Sequence, residues 1–409
     1  MDKYIIIIGT LDTKGKEIKY LADRIKYLGV NKNLHTIVID VGILGKAIDI
    51  KPDITSEEVS LAGGYSLNQL RNSGRGKALE MMTKGAVQVV KKLYLEKKCD
   101  GIVSLAGGSG SSIVCEAMET LPVGVPKLIA TPIASGPRLF EFYIKNKDIM
   151  IMHSVIDIMG VNSISRTIYD NIASSIVGQV INRQFYNKSD KAVAITMIGN
   201  TTKGVSFIKS VLESHGFEVV IFHASGVGGR AMEEMIKDGF FKGVIDYTTC
   251  EIFEDIIGGL QRGAGPDRMM VAGKLGIPQI IVPGCIDFFD QGPIDSIPEE
   301  FKNRKLYMHS PAFTLCRLTK KEMENLGNIF ADKLNQSIGK TIVVIPLEGF
   351  SIPDCPGGFF EDKEADMAFV KNLERNLNPN IRVQKINAHI NDKIFAEQVA
   401  NIFIDLFNE

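Results

Sequence analysis

The chain has 409 residues with a formal net charge of −1; 45% of its residues are hydrophobic and 23% charged. That length fits two domains, and that composition is ordinary for a globular protein. Near-neutral charge gives no global pull toward nucleic acid or an anionic membrane, and the longest apolar runs, Ile5–Ile8 and Ile280–Val282, fall far short of a bilayer span.

The N-terminal apolar stretch runs directly into Gly9-Thr10-Leu11-Asp12 without a small-residue cleavage pattern, so it is expected to be a first strand rather than a signal peptide. Tyr4–Ile8 is a continuous β-branched run, as in a strand buried on both faces. The turn Gly9–Gly15 follows, then a helical pattern over Glu17–Leu28 closed by Gly29. Strand Thr36–Val41, helix Lys77–Lys98, strand Gly101–Leu105, helix Ile113–Glu119 and strand Lys127–Ala130 continue the alternation. This rhythm predicts an α/β fold with mostly parallel sheets and helices on both faces.

The rhythm breaks after a helix ending near Phe185. The polar segment Tyr186–Lys191 is the expected linker, dividing the chain into a first Rossmann-like domain over 1–186 and a second over 191–409. The pattern then restarts with strand Ala192–Ile198, turn Gly199–Gly204, helix Val205–Ser214 and strand Glu218–Phe222. IIIIGTLDTKGKEI at Ile5–Ile18 resembles AITMIGNTTKGVSFI at Ala194–Ile208, so the two Rossmann-like domains are expected to be an internal duplication. The last segment adds strand Thr341–Pro346, a helix around Glu364–Leu377, strand Ile381–Ile386 and helix Asp392–Phe407.

The clearest chemical signal is Gly107-Gly108-Ser109-Gly110-Ser111-Ser112, between a strand and a helix. Glycines admit a ligand close to the backbone, and free N–H groups at a helix start attract an anion. The loop matches neither a Walker A nor a G-x-G-x-x-G fingerprint. Gly9, Thr10, Asp12 and Thr13 open on the same rim. Asp12 can accept from a ribose hydroxyl, hold a Mg²⁺ ion, or cap the helix with Thr13. Arg75, in the segment Asn72–Lys77, can reach phosphate or stay solvated, and Ser135 follows another buried strand toward the rim. In the second half, His223, Asp246, Glu251, Asp287 and His309 follow strands. They can converge as acid, base or metal ligands, or serve as caps and core hydrogen-bonding groups. The six cysteines (Cys99, Cys115, Cys250, Cys285, Cys316, Cys355) form no C-x-x-C pair and read as reduced thiols of a cytoplasmic protein.

Seven motifs carry a resemblance: IGTLDTKGKE, GGSGSS, LPVGVPK, SVIDIMGVNSISR, FHASGVGGRAMEEM, GAGPDR and HIND. Together, and over essentially the whole chain, they resemble an uncharacterised family that includes the ATP-binding region of the tobamovirus resistance protein and bacterial and fungal relatives. The resemblance implies two Rossmann-like domains, ATP in the first, and a homodimer. The family pattern has Gly-Thr where this chain has Ser111-Ser112, which keeps small donors. The plant member continues into a barrel domain that this chain lacks, and its virus-inhibiting activity is not implied here. The expected ligand is a nucleotide, ATP, with Mg²⁺ as its accompanying ion. The alternative expectation is an enzyme acting on a small anionic metabolite in the second domain, with ATP as co-substrate or regulator.

Overall fold

The computed structural model describes residues 2–135, 141–184 and 189–409. It divides into two compact units, Met1–Tyr186 and Asn187–Glu409. Half of the expected linker, Tyr186 to Lys188, and the residues Gly136 and Pro137 lie outside the described residues.

In the first unit β1 (Lys3–Gly9), β2 (Leu34–Asp40), β3 (Gly101–Leu105), β4 (Lys127–Thr131) and β5 (Ile149–His153) form a five-stranded sheet in the order β2-β1-β3-β4-β5. All its pairings are parallel. Successive side chains of a strand point to opposite faces, and the isoleucine run of β1 uses both. Ile6 and Ile8 join one apolar layer, with Val59, Met82, Val90 and Ile113 from the helices above. Ile5 and Ile7 join the other, with Ile18, Leu21, Ile25 and Ile176 from the helices below. All four isoleucines are fully buried, which stabilises by roughly 1.5–3 kcal/mol each.

The second unit holds β6 (Ala192–Met197), β7 (Glu218–His223), β8 (Gly243–Thr248), β9 (Gln279–Gly284), β10 (Phe288–Gln291), β11 (Leu306–Ser310), β12 (Phe313–Arg317), β13 (Thr341–Pro346) and β14 (Arg382–Ile386). Six of them form a parallel sheet in the order β14-β13-β9-β8-β6-β7. Read from the other edge, its first five strands repeat the sequential order of the first sheet: second, first, third, fourth, fifth. The expected duplication therefore holds at the level of topology. Two features depart from it. One is the added edge strand β14. The other is a separate antiparallel sheet, β10-β12-β11, inserted between β9 and β13. An expectation of mostly parallel sheets leaves no place for that insertion.

Both glycine-bearing turns are shorter than the sequence suggests. The helix after β1 runs over Leu11–Leu28, with non-helical backbone at Lys14. A Cβ on Gly15 would stand 2.0 Å from the carbonyl oxygen of Ile48, so only glycine fits beneath that loop. The serine loop is likewise not a loop: the helix after β3 begins at Gly108 and runs to Glu119.

Candidate functional site

In an open parallel sheet, ligands gather where the strand order reverses, beyond the carboxyl ends of the strands. In the first unit that point lies between β1 and β3. A cleft of about 560 Å³ opens there. Part of its lining is apolar, with Val41, Ile43, Leu44, Leu70, Leu79 and Ile113, and the rest includes Thr10, Asp12, Thr13, Lys14, Arg75 and Gly107 to Gly110.

Three helices begin at this cleft: Leu11–Leu28, Arg75–Leu95 and Gly108–Glu119. Their N-caps, Thr10, Gly74 and Gly107, give no side-chain capping hydrogen bond. The first N–H groups of a helix have no intrahelical acceptor, and the helix dipole adds positive potential there. The first intrahelical bond of the serine helix runs from the Ser111 N–H to the Gly107 carbonyl. The N–H groups of Gly108, Ser109 and Gly110 therefore have no acceptor among the described residues. The Arg75 guanidinium donates to Ser109 Oγ at 2.9 Å, bringing its charge to the same place.

The remaining expected contacts are positioned otherwise. Asp12 Oδ2 accepts from the N–H groups of Leu44 at 3.0 Å and Gly45 at 3.1 Å, so the carboxylate fastens the loop after β2 as well as lining the cleft. Ser111 is buried and turned inward, its Oγ on the Gly107 carbonyl at 2.9 Å and on Thr131 Oγ1 at 3.1 Å. Ser112 is exposed off the cleft, one helical step past the wall formed by Ser109 and Gly110. Ser135 pairs with His153 at 3.2 Å and does not line the cleft. Gly9 ends β1 against Ile18 and serves packing. Asp40, at the end of β2, is a buried carboxyl not singled out from sequence. It accepts from the N–H groups of Leu11 at 3.0 Å and Gly42 at 2.8 Å, and burial raises its pKa above the usual value.

The glycine-rich turn of the second unit, Gly226 to Gly229, follows β7, the second strand of its sheet, and is already filled. Glu251 Oε1 accepts from the Gly226 N–H at 2.6 Å and the Gly229 N–H at 3.1 Å. Glu251 Oε2 takes the Arg268 Nε–H at 2.6 Å. Arg268 is 1% exposed and also grips Asp246. Asp246 and Glu251 are thus corrected from candidate acid–base groups to members of a buried charge network. Strand β8 continues past Asp246 to Thr248, so that carboxylate sits inside the sheet rather than at its rim. Burial also pushes the neighbouring Glu233 up to about 7.

Asp287 is corrected as well. It is fully buried, with Oδ2 accepting from Ser351 Oγ at 2.7 Å, and burial together with the nearby Asp354 pushes it up to about 7. His309 does border a cavity, of about 420 Å³, and so does His223, but the carboxyl between them is Asp290. Strand alternation explains the exchange: Phe288 and Asp290, two apart on β10, both line the cavity, and alternation beginning at Phe288 was the signal in the sequence. A second cavity of this unit, about 710 Å³, is lined by Thr202, Lys203, Cys355, His389 and Asn391 among others. Among the described residues no group of three His, Cys, Asp or Glu side chains is arranged to hold a metal ion, and no helix is long and apolar enough to cross a membrane.

Residues 3–185 match the N-terminal domain, and residues 190–407 the C-terminal domain, of the Uncharacterised protein family (UPF0261). The chain belongs to this family. A UPF0261 protein of Clostridium tetani is 42% identical over the full length of both chains. The ToMV resistance protein Tm-1(GCR237) of Solanum lycopersicum is 30% identical over 98% of this chain. This chain spans 55% of the length of that tomato relative. Among solved structures, a UDP-GlcNAc 2-epimerase of Methanocaldococcus jannaschii in complex with UDP-GlcNAc and UDP aligns over 98% of this chain and 99% of its own. It does so at 12% identity and a TM-score of 0.23, a likeness too loose to carry a functional argument.

Proposed function

We propose that the first unit binds ATP, with the phosphates at the start of the serine helix beside Arg75 and the base against the apolar lining residues. The observation that carries this reading is the set of unsatisfied N–H groups at Gly108, Ser109 and Gly110, beside the Arg75 guanidinium. Backbone donors and a fixed cation suit a polyanion, and the apolar lining residues suit a flat heterocycle. Thr10 and Thr13, whose hydroxyls pair at 3.0 Å, add adjustable donors at the end of β1. Asp12 lines the cleft with its Oδ1 outside the bonds to Leu44 and Gly45, and this oxygen is the candidate contact for a Mg²⁺ ion accompanying the phosphates. The wider proposal is a cytoplasmic homodimer. Cysteine usage supports the compartment, since five of the six free thiols are buried as small apolar side chains. The dimer rests on the family resemblance and on how common two-fold dimers are.

Gly108→Val tests the phosphate site cleanly. A Cβ at Gly108 meets nothing nearer than Ile133 Cγ2 at 3.9 Å, so the backbone tolerates a side chain there, and valine adds bulk at the first residue of the helix whose N–H groups are proposed to hold the phosphate. ATP at a hundred times its dissociation constant stabilises the native protein by roughly 2.7 kcal/mol. The expected result is that this thermal shift disappears in Gly108→Val. A folded variant that keeps it moves the phosphates elsewhere.

A further inference from the structure

The cavity lined by His223 and His309 belongs wholly to the second unit and shares no lining residue with the cleft of the first. It lies beyond the ends of β6 and β7, where Ile198, Gly199, Asn200, His223 and Ser225 form its floor. Its opposite wall is the inserted antiparallel sheet, which contributes Phe288 and Asp290 from β10, His309 from β11, and Phe313 and Leu315 from β12. The element that breaks the internal duplication thus supplies the cavity's carboxyl and one of its two imidazoles.

Two features aim that chemistry inward. The first is the backbone at His309. Met308 pairs with Thr314, and Ser310 pairs with Phe313, so two steps on β11 face one step on β12. His309 is the extra residue of a β-bulge. A bulge re-aims one side chain out of the regular alternation, a device common beside active sites. The second is the holding of Asp290. It is 3% exposed yet lines the cavity. Gln261 Nε2 donates to its Oδ2 at 2.7 Å, and its own N–H donates to Glu254 Oε1 at 2.5 Å. Glu254 Oε2 in turn accepts from the Gln261 N–H at 3.2 Å, so one buried glutamate positions both the carboxyl and the amide that orients it. Burial pushes the Asp290 carboxyl up to about 6, against the opposing pull of Gln261 and His309. A carboxyl in that range exchanges protons readily at neutral pH.

The lining also selects a class of ligand. Among the described lining residues there is no Lys or Arg, and an anion would face the Asp290 carboxylate without a fixed counter-charge. The polar groups are instead an amide pair (Asn200, Gln261), a hydroxyl (Ser225), two imidazoles and one carboxyl, set among Phe288, Phe313 and Leu260. That mixture suits a small neutral molecule with several hydroxyls and an apolar face.

We propose that this cavity is an acid–base site for a small uncharged hydroxy-carbonyl compound, with Asp290 and His309 as the proton-transferring pair. The Asp290 carboxylate takes the proton from the carbon beside the ligand carbonyl. The electron pair of the broken C–H bond forms the carbon–carbon double bond, and the carbonyl oxygen receives the imidazole proton of His309, giving the enediol. Return of both protons regenerates the compound, its isomer or its epimer, with no other reactant consumed. Glu254 and Gln261 act as positioning residues.

The test is proton exchange in D₂O, followed by NMR, with dihydroxyacetone, D-glyceraldehyde, D-ribose and D-fructose as probes. The expected result is incorporation of deuterium next to the carbonyl of at least one probe, faster than in buffer alone. Asp290→Asn and His309→Ala should each lower that rate by about 100-fold or more. Both variants should keep the ATP-induced thermal shift, which reports on the first unit and shows that the protein is folded. No exchange above the buffer rate with any probe overturns the proposal, as does wild-type exchange in Asp290→Asn. Neither failure touches the nucleotide reading.

Discussion

Asp290 is held in a state that costs stability. Its pKa is pushed up to about 6, chiefly by burial, while an unfolded aspartate titrates near 4. A carboxyl that binds its proton more tightly in the native state stabilises the fold while protonated, and that contribution is lost as pH rises from about 4 through about 6. Asparagine at this position keeps an acceptor for Gln261 and carries no proton to lose. Asp290→Asn is therefore expected to be more stable than the wild type above pH 6, by about 2–3 kcal/mol, with the gap closing toward pH 4. Glu254 works in the same direction, because its own pKa, about 8, is raised first by burial and next by the Asp290 charge. Denaturant unfolding of both proteins at pH 4.5 and pH 7.5 measures the difference. Equal stabilities at pH 7.5 would show that the native carboxyl titrates normally. Stability given up at one carboxyl is what a proton-transferring group in a preformed site requires.

At the scale of elements, the parallel sheets were readable because their strands are apolar on both faces and each is followed by a helical repeat. Ile5–Ile8, Lys127–Ala130 and Thr341–Pro346 all fall inside observed strands. Helix starts were less legible. The glycines of Gly107 to Gly110 read as a turn, because glycine is a poor helix former, yet Gly108 already opens the helix. The ligand chemistry expected of such a turn and that of a helix start are the same, so the misplaced boundary left the candidate phosphate contacts where they were. The antiparallel insertion was hidden for a different reason. Its strands are short, β10 covering only Phe288–Gln291, and they carry charged residues such as Asp290 and Arg317 that pair in tertiary contacts no local pattern reveals. Asp287 and Asp246 both sit near strand ends, which makes each a rim candidate on sequence alone. Which of the nearby carboxyls faces a cavity depended on the insertion, and for Asp246 on Arg268, a residue 22 positions away in the chain.

On the scale of the whole molecule, two units share a strand order and differ in what lies at the rim. Light scattering at micromolar concentration is expected to give a mass twice the 44.9 kDa of the chain. A mass near 44.9 kDa would remove the homodimer. The shared strand order invites the assumption that both halves hold the same ligand, and Glu251 argues against it. The helix after the third strand begins with Gly108 in the first unit and with Glu251 in the second, and that carboxylate is clasped by two N–H groups of the turn after β7 and by the Arg268 guanidinium. The second half carries its anion as part of its own covalent chain, permanently and at no cost of association. Counting ligands then separates architecture from occupancy: calorimetric titration with ATP is expected to saturate at one equivalent per chain, and a second equivalent of comparable affinity would mean that the tethered carboxylate can be displaced.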